Sequence, residues 1–386
     1  MTKQHIPKIR FQGFDEEWED KKIGEVFRER NQREAEGELI SVTINSGVVR
    51  ASELDRKDNS SKNKSNYKKV EVGDIAYNSM RMWQGASGVS NYSGIVSPAY
   101  TVIYPHENIS VSIEFIAKLF KTSKMINVFQ INSQGLTSDT WNLKYPLLKN
   151  IKISLPTLPE QESIGQLFRT LDELISAYKE NLEQYQNLKT SMLSKMFPKE
   201  GQKQPEIRLD GFDGDWEERE LGEEVNFLNE KRVPIDSSDR LSGCFPYYGA
   251  SGVIDYIDNY IFDGEYVLLA EDGANIVMRN SPIAYLTSGK FWLNNHAHIM
   301  EMKEGSNVFL MNLLEKEDYV KYNTGTAQPK LNSKTVKKIK LYFPIPDEQE
   351  AIGAFFANLD ETISSYQDKI GQLELLKKNL LAQMFI

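Results

Sequence analysis

Residues 155–178 read LPTLPEQESIGQLFRTLDELISAY, and residues 343–366 read FPIPDEQEAIGAFFANLDETISSY. The two stretches match at a constant offset of 188 residues, and the match returns where Met196-Phe197 corresponds to Met384-Phe385. An internal repeat constrains architecture more strongly than any single residue does. This duplication therefore predicts two copies of one structural element within the 386-residue chain.

Both repeated blocks are predicted to be long helices, because no proline interrupts the run after Pro159 until Pro198. Thr157 and Asp347, each three residues before a glutamate, are typical of N-terminal capping boxes. Alternating steps of four and three residues reach apolar side chains at eighteen of twenty positions, which indicates a coiled-coil seam. The seam includes Ile164, Phe168, Leu171, Ile175 and Leu182 in the first block, and Ile352, Phe356, Leu359, Ile363 and Ile370 in the second.

The two positions that interrupt the apolar seam are equivalent lysines, Lys189 and Lys377. Neither helix can bury such a seam alone, so we expect the two copies to pack on each other. The alternative is that each helix docks on its own domain.

A second duplication opens each half of the chain. Residues 7–24 read PKIRFQGFDEEWEDKKIG and residues 205–222 read PEIRLDGFDGDWEERELG, at an offset of 198. The regions between the repeated blocks, 25–154 and 223–342, show no comparable match. The chain therefore runs as an opening block, a variable body and a long block, and then repeats that order.

Each variable body is predicted to be an α+β domain with a twisted sheet. The segments that read as strands are short, rich in β-branched and aromatic residues, and bounded by turn residues. They are 70–77, 96–104, 149–155, 266–270, 296–302 and 336–343. Segments 112–120 and 307–314 read as helices.

Composition limits the class of protein. Hydrophobic residues make up 40% of the chain, enough for real cores, which excludes wholesale disorder. The single cysteine, Cys244, cannot form an internal disulfide, which favours a reducing compartment. No apolar run approaches the roughly 18 residues of a membrane span, and no signal peptide is visible. We expect a cytoplasmic protein of two or more domains that does not enter a membrane.

Charge is distributed unevenly along the chain. The formal net charge is −9, but the blocks 7–25, 156–198, 205–224 and 344–386 together carry −15, so the remainder carries +6. That remainder contains two basic stretches that suit phosphate contacts on a nucleic acid. They comprise Arg56, Lys57, Lys62, Lys64, Lys68 and Lys69 in the first body, and Lys330, Lys334, Lys337, Lys338 and Lys340 in the second. The competing interpretation is a solvated loop and a solvated strand face.

Motifs of common enzymes are missing. The sequence has no Gly-x-x-x-x-Gly-Lys-Ser/Thr phosphate loop, no Gly-x-Gly-x-x-Gly fingerprint and no Asn/Asp-Pro-Pro-aromatic loop of adenine methylation. His296-Ala297-His298 has two imidazoles but no third metal ligand in view. We find no catalytic constellation, and we expect no metal and no cofactor in this chain.

These features together resemble the specificity subunit of type I restriction-modification systems, along the whole chain. The opening blocks carry the resemblance at Gly13-Phe14-Asp15 with Trp18, and the helix starts carry it at Glu160-Gln161-Glu162 with Ile164. Their second copies are Gly211-Phe212-Asp213 with Trp216, and Glu348-Gln349-Glu350 with Ile352. Within the bodies, residues 77–85, 247–252, 294–298 and 325–332 resemble recurrent recognition-domain stretches.

The resemblance implies two target recognition domains, each reading one half of a bipartite sequence in double-stranded DNA. The implied divisions are 1–155 for the first recognition domain, 156–198 for the first spacer helix, 199–342 for the second recognition domain and 343–386 for the second spacer helix. It also implies that the helices lie antiparallel as a ruler with pseudo-twofold symmetry. Two methyltransferase subunits that use S-adenosylmethionine, and motor-nuclease subunits, are the implied partners. The specificity subunit itself has no catalysis in this family.

Candidate DNA contacts follow from side-chain chemistry, because arginine, lysine, asparagine and glutamine can reach groove edges. We predict base contacts from Asn78, Arg81, Gln84, Asn294, His296 and Gln328. We predict phosphate contacts from Lys62, Lys64, Lys68, Lys69, Lys330, Lys334 and Lys337. Two other hypotheses remain: a self-sufficient restriction endonuclease with an unrecognised active site, and a purely structural coiled-coil adaptor.

Overall fold

The computed structural model describes residues 6–55, 60–138, 140–326 and 328–386. It divides into two compact units, one formed by residues 1–179 with 369–386 and the other by residues 180–368. Each long helix contributes to both units, so the units do not follow the four segments inferred from the sequence. In the described part of the chain, no helix combines the length and apolar character that a membrane span requires.

The first unit is a mixed α+β structure. Its strands are β1 (Glu19–Lys22), β2 (Phe27–Glu29), β3 (Ile40–Thr43), β4 (Gly47–Arg50), β5 (Lys68–Val70), β6 (Ile75–Asn78), β7 (Ser87–Val89), β8 (Gly94–Val96), β9 (Tyr100–Pro105) and β10 (Lys152–Leu155). Its helices are α1 (Ile23–Val26), α2 (Ile113–Leu119), α3 (Ser123–Asn132), α4 (Tyr145–Leu148) and the beginning of α5 (Leu158–Lys195). Short 3-10 turns cover Ala51–Glu53 and Met82–Gln84.

The second unit repeats this composition. Its strands are β11 (Glu217–Glu220), β12 (Val225–Phe227), β13 (Ser242–Gly249), β14 (Gly252–Ile257), β15 (Phe262–Asp263), β16 (Tyr266–Ala270), β17 (Ala284–Thr287), β18 (Lys290–Leu293), β19 (Ala297–Met302) and β20 (Lys340–Phe343). Its helices are α6 (Leu221–Glu224), α7 (Asn275–Met278), α8 (Asn307–Lys316), α9 (Ser333–Lys337) and most of α10 (Pro346–Gln383). Its 3-10 turns cover Asn229–Lys231, Ser237–Asp239 and Val320–Tyr322.

Each body contains its own central sheet, and the two sheets have the same strand order although the sequences of the bodies do not match. The order is β2-β9-β6-β7 in the first unit and β12-β19-β16-β17 in the second, and every pair is antiparallel. Each unit also pairs the strand within its opening block with the strand before its long helix, as β1-β10 and β11-β20. The units therefore repeat these two sheets and differ in the others, which are β3-β4 and β5-β8 in the first unit and β14-β13-β18-β15 in the second. The predicted fold class is confirmed.

The duplicated residues fasten each body to its long helix. Arg10 donates two hydrogen bonds of 2.7 Å to the buried carboxylate of Glu160, and Arg208 binds the buried Glu348 in the same way at 2.8 and 2.6 Å. A buried carboxylate is stable only when it is paired, so each arginine is needed where it lies. The repeat therefore preserves an interaction between two distant segments.

The opening-block tryptophans are core residues. Trp18 packs edge to face on Phe115 at 5.7 Å, and Trp216 packs on Phe309 at 5.8 Å. These phenylalanines lie in the first turns of α2 and α8, whose N-caps are Ser112 and Ser306. Each pair of an opening block and a body helix thus contributes to the hydrophobic core of its own unit.

The long helices run antiparallel within each unit. In the first unit, Phe168 lies 5.9 Å from Phe385 between ring centroids, and Asp172 pairs with Lys377. In the second unit, Tyr185 lies 5.3 Å from the Tyr366 ring and Lys189 pairs with Asp360. Residue numbers rise along α5 as they fall along α10, so the expected coiled-coil pairing is confirmed.

The lysines that interrupt the seam are therefore its ion-pair positions. Most predicted seam residues are buried, and the most exposed of them are Leu182 and Ile363, which are half-buried. The capping box predicted at Asp347 is wrong, because α10 already begins at Pro346 and places Asp347 inside the first turn.

Several predicted strands are shorter in the structure. The segment 70–77 is interrupted by a turn at Gly73, whose φ of 89° requires glycine, and the strand resumes at Ile75. The segment 336–343 begins in helix α9, and its strand β20 starts at Lys340. The helices predicted at 112–120 and 307–314 are present as α2 and α8.

Candidate DNA interface

Three loops of the first unit meet at one end of the central sheet. They are the loop after β6 (79–86), the turn before β9 (97–99) and the loop before α4 (133–142). The Ser79 backbone joins them, because its N–H donates to the Ala99 carbonyl at 3.1 Å and its carbonyl accepts from the Leu143 N–H at 2.8 Å. We call these three loops the first loop edge.

The second unit has the same arrangement, with Glu271 in the place of Ser79. The Glu271 N–H donates to the His296 carbonyl at 2.9 Å, and its carbonyl accepts from the Leu331 N–H at 2.7 Å. The loops joined here are 271–283, 294–296 and 323–330. We call them the second loop edge, and every predicted base contact lies on one of the two edges or at the end of β6.

Two of the predicted residues on the first edge are available for binding. Arg81 is exposed and Gln84 is half-exposed, and neither side chain has a hydrogen-bond or ion-pair partner among the described residues. Asn78 differs, because its carboxamide oxygen accepts from the Met80 N–H at 3.0 Å and shapes the start of the loop. Trp83 packs edge to face on Trp141 at 5.2 Å.

The second edge presents His296 and Gln328. The His296 side chain is 51% exposed, with Nδ1 2.8 Å from the Asp272 carboxylate, so its Nε2 atom faces away from that partner. Gln328 is exposed and has no side-chain partner among the described residues. Asn294 is 5% exposed, and its carboxamide oxygen accepts from the His296 N–H at 2.8 Å. Asn294 therefore shapes the turn that holds His296, and its base contact stays a prediction.

His298 belongs to the polar core beneath the edge. Its Nε2–H donates to the Leu331 carbonyl at 2.7 Å, so its Nδ1 atom accepts from the Asn229 amide at 3.0 Å. Burial lowers the pKa of His298, and the negative charge of Glu271 offsets part of that shift. His296 and His298 therefore have separate partners, and the described residues contain no group of three potential metal ligands.

The basic residues of the first body fall into two groups. The side chains of Lys62 and Lys64 have no ion-pair or hydrogen-bond partner within the described ranges. Lys68 lies 3.0 Å from Glu29 and Lys69 lies 2.8 Å from Glu71, so both ammonium groups are already paired. The phosphate contacts of Lys68 and Lys69 stay predictions. Arg56 and Lys57 lie outside the described residues.

The basic residues of the second body lie on and beside the second edge. Lys330 is half-exposed and 3.5 Å from Glu271, whose carboxylate also binds Arg232 at 2.7 Å. Lys334 is exposed without a partner among the described residues, and the exposed Lys337 lies 5.0 Å from the Phe227 ring. Each body therefore offers two predicted phosphate contacts without an ionic partner among the described residues, Lys62 and Lys64 in the first body and Lys334 and Lys337 in the second.

Sequence reasoning missed the acidic residues of the second edge. Glu271 and Asp272 follow the buried strand β16 and orient Arg232, Lys330 and His296. Their signal was Glu271-Asp272-Gly273 directly after an apolar strand, a typical strand-to-loop transition. The duplicated fold and its paired loop edges define a two-domain binding protein with long antiparallel helices.

A family model identifies the class more closely. The model described as the type I restriction modification DNA specificity domain matches residues 15–185 and again residues 213–375. The chain therefore belongs to the type I restriction-modification DNA specificity family, as its sequence motifs predict.

Relatives share this description. A protein of Haemophilus influenzae described as a type I restriction enzyme specificity subunit is 38% identical over 139 residues, which are 36% of this chain and 34% of that protein. The MjaX specificity subunit of Methanocaldococcus jannaschii is 22% identical over 80% of this chain and 77% of its own length. The chain thus spans about a third of the first of these proteins and about three quarters of the second.

Solved structures share the fold. The S subunit of a type I restriction-modification system from M. genitalium matches with a TM-score of 0.65 and 16% identity over 99% of both chains. A structure from work on complex assembly and conformational transition of the type I R-M system matches with a TM-score of 0.52 and 14% identity, over 97% of this chain and 99% of that chain.

Proposed function

We propose that this chain is the DNA specificity subunit of a type I restriction-modification complex, in which each loop edge reads one half of a bipartite target. The observation that carries the proposal is the duplication of the edge. The two bodies are unrelated in sequence, yet each places loops at the equivalent end of its own central sheet. The polar side chains on those loops differ between the bodies. A scaffold that is repeated and a surface that varies suit two independent readings of DNA.

The polar groups divide by chemistry into two roles. Arg81, Gln84, His296 and Gln328 are exposed hydrogen-bonding side chains that can reach base edges in a groove. Lys62, Lys64, Lys330, Lys334 and Lys337 are point charges that suit phosphates and set the position of the body on the duplex. Phosphate contacts supply affinity without sequence information, so specificity is assigned to the first group.

The partners proposed for the chain are methyltransferase subunits that use S-adenosylmethionine, together with motor-nuclease subunits. The sequence lacks the adenine-methylating loop, so the methyl transfer is assigned to a partner. The negative charge of the repeated blocks supports a division of surfaces, because it lies outside the basic stretches of the bodies. A self-sufficient endonuclease is the alternative, and magnesium-dependent cleavage by the purified chain alone would favour it.

A body exchange tests the proposal. Residues 25–154 are replaced with the corresponding body of a relative, and methylated adenines are mapped in host DNA by sequencing. We expect one half of the methylated sequence to change while the other half stays the same. The matched control exchanges residues 223–342 and should change the opposite half.

Two outcomes would contradict the proposal. If either exchange changed both halves together, the two edges would be reading one site jointly. If the purified chain alone transferred label from S-adenosylmethionine to DNA, or cleaved DNA with magnesium, the chain would be an enzyme in its own right.

A further inference from the structure

A lysine of the first unit holds the loop after β6. Lys121 lies nine residues after Ser112, the N-cap of α2. Its ammonium group donates to the Gly85 carbonyl and, at 3.0 Å, to the Ile44 carbonyl in the β3–β4 turn. Gly85 ends the 3-10 turn that carries Gln84, so Lys121 restrains the loop at its base-reading segment.

A glutamate of the second unit occupies the equivalent position. Glu315 lies nine residues after Ser306, the N-cap of α8. One carboxylate oxygen accepts from the N–H groups of Ile283 and Ala284 at 2.9 and 3.0 Å, and the other accepts from the Arg279 guanidinium at 2.9 Å. These three residues lie in or directly after the loop 271–283, which follows the equivalent strand β16.

The two clamps are alike in place and opposite in charge. The clamp lies at the same end of the body helix in each unit, because Glu315 is in the last turn of α8 and Lys121 follows the end of α2 by two residues. The loop after the central strand receives the clamp in both units. A cation holds carbonyl groups in the first unit, and an anion holds N–H groups in the second. Since the chemistry is inverted while the geometry is kept, what the two units share is restraint of this loop.

We propose that Lys121 and Glu315 are specificity-determining positioning residues, each holding the reading loop of its own unit in the conformation that presents base-contacting side chains. This inference rests on the proposed function. It adds two residues, neither of which needs to touch DNA, and assigns each to one half of the target.

Each restrained loop contains a residue with a positive φ, a conformation that we expect the loop to lose when the clamp is removed. Gly85 has a φ of 80°, and an added Cβ there would meet Ile126 at 3.3 Å. Arg279 has a φ of 52°, in the left-handed region that costs free energy for a residue with a side chain. Such a conformation persists when surrounding contacts fix it, and Glu315 makes those contacts.

The environment of Lys121 shows that the clamp is held against an electrostatic cost. Burial first, and then the positive charges of Lys118 and Lys377, lower the pKa of Lys121 to about 8. The carbonyl groups of Ile44 and Gly85 accept hydrogen bonds from the Lys121 ammonium group. A methionine of similar length would remove the cost and the clamp together.

The test compares half-site discrimination in matched variants of the full chain, assembled with its methyltransferase subunits. Lys121→Met and Glu315→Met remove the clamps, and Lys121→Arg and Glu315→Gln keep part of the donor or acceptor chemistry. Lys124→Met and Glu304→Gln are controls at exposed positions without described partners. Affinity is measured by fluorescence anisotropy for the methylated-site duplex and for duplexes with either half scrambled.

We expect Lys121→Met to reduce discrimination of one half-site by about tenfold to a hundredfold, the range of one lost bidentate base contact. Discrimination of the other half and the salt dependence of binding should stay at wild-type values. Glu315→Met should show the mirror pattern, and the Arg and Gln variants should recover most of the loss. Thermal unfolding identifies a variant that fails to fold, in which case Lys121→Gln takes its place.

Loss of affinity for every duplex alike, or unchanged discrimination in both clamp variants, would overturn the inference. A wild-type complex that shows no preference between intact and scrambled duplexes would instead overturn the proposed function. The two failures are therefore separate results of one experiment.

Discussion

At the residue scale, exposure and pairing distinguish side chains that are free to bind from those that the fold already engages. Arg81 is exposed and has no partner among the described residues, whereas Asn294 is 5% exposed and engaged in its own turn. We expect Arg81→Ala to relax preference at one base position at a cost of about 1–3 kcal/mol, the value of a bidentate contact. Binding to single-substitution duplexes gives the measurement.

A phosphate contact should behave differently. Lys334→Ala with Lys337→Ala should weaken binding about equally for all sequences and flatten the salt dependence by roughly one unit per lost contact. Arg33→Ala, at an exposed arginine bound to Asn66, is the control for a general loss of charge in the first body. If Arg81→Ala gives the uniform pattern of the lysine pair, the assignment of Arg81 to base reading is wrong.

Residue types alone predicted which chemistry the loops offer, but not which side chains are free. Asn78, Arg81 and Gln84 lie within seven residues, yet Asn78 binds the Met80 N–H. Lys68 and Lys69 meet Glu29 and Glu71, and Glu29 is about forty residues distant in sequence. The Glu29 partner depends on the fold bringing β5 against the segment that follows β2, through the bridge between Lys68 and Arg33, which a sequence pattern does not reveal.

At the element scale, the seam lysines show how a polar residue is accommodated between two helices. Asp172 of α5 accepts from Lys377 of α10 and from Lys118 of α2, while Asp360 accepts from Lys189 alone among the described residues. Burial by itself would raise the pKa of Asp172, but hydrogen bonds from the two lysines outweigh it and hold the pKa below its usual value.

A carboxylate with a depressed pKa stabilises the fold above its unfolded pKa of about 3.9, and the stabilisation is lost as pH falls through the lower folded pKa. We therefore expect Asp172→Asn to destabilise the protein at pH 7 by about 1 kcal/mol, a value discounted for its partial exposure. The difference from wild type should shrink as pH falls below the unfolded pKa of about 3.9. Urea unfolding midpoints at several pH values provide the measurement.

Two comparisons make that prediction specific. Glu173→Gln removes an exposed carboxylate that has no partner within the described ranges, and it should change the midpoint little. Asp360→Asn, with one lysine partner, should cost less than Asp172→Asn. A destabilisation by Asp172→Asn that is the same at pH 3 and pH 7 would show that shape, and not charge, is what the aspartate contributes.

Long elements were predicted better than short ones for a physical reason. The seam repeats over more than thirty residues, so the helical conformation of α5 and α10 is specified many times over. The segment 70–77 contains several residues that favour strands, but Gly73 and Asp74 bend it into a turn. The Asp74 carboxylate accepts hydrogen bonds from Arg30. One bend decides a short strand and leaves a long helix unchanged.

At the scale of the whole molecule, the repeated sequence joins each body to its long helix. The unrepeated sequence carries the loops that we propose to bind DNA. Arg10 with Glu160, and Arg208 with Glu348, join opening block to helix in each unit, so those residues are duplicated. The central sheets are equally duplicated, but their register depends on backbone hydrogen bonds that many side chains permit. Their equivalence was therefore invisible in the sequence.

The last prediction concerns the role of the helices as a ruler between half-sites. The pairs Asp172–Lys377 and Tyr185–Tyr366 bracket two facing heptads, Tyr178–Gln184 and Gln367–Leu373. Deleting both heptads keeps the phase of the seam, because seven residues is its repeat, and leaves those bracketing pairs in place. The helices shorten by about 10 Å at roughly 1.5 Å per residue.

That change corresponds to about three base pairs and to a rotation of roughly 100° around the duplex. We expect the half-site sequences to survive while the permitted spacer changes, or specific binding to be lost altogether. Methylation mapping measures both results. Deletion of Tyr178–Gln184 alone is the control, because it leaves the facing heptad of α10 without a partner and should disrupt the packing of α5 on α10. A doubly shortened protein that methylates the original sequence at its original spacing would show that another part of the molecule sets the distance.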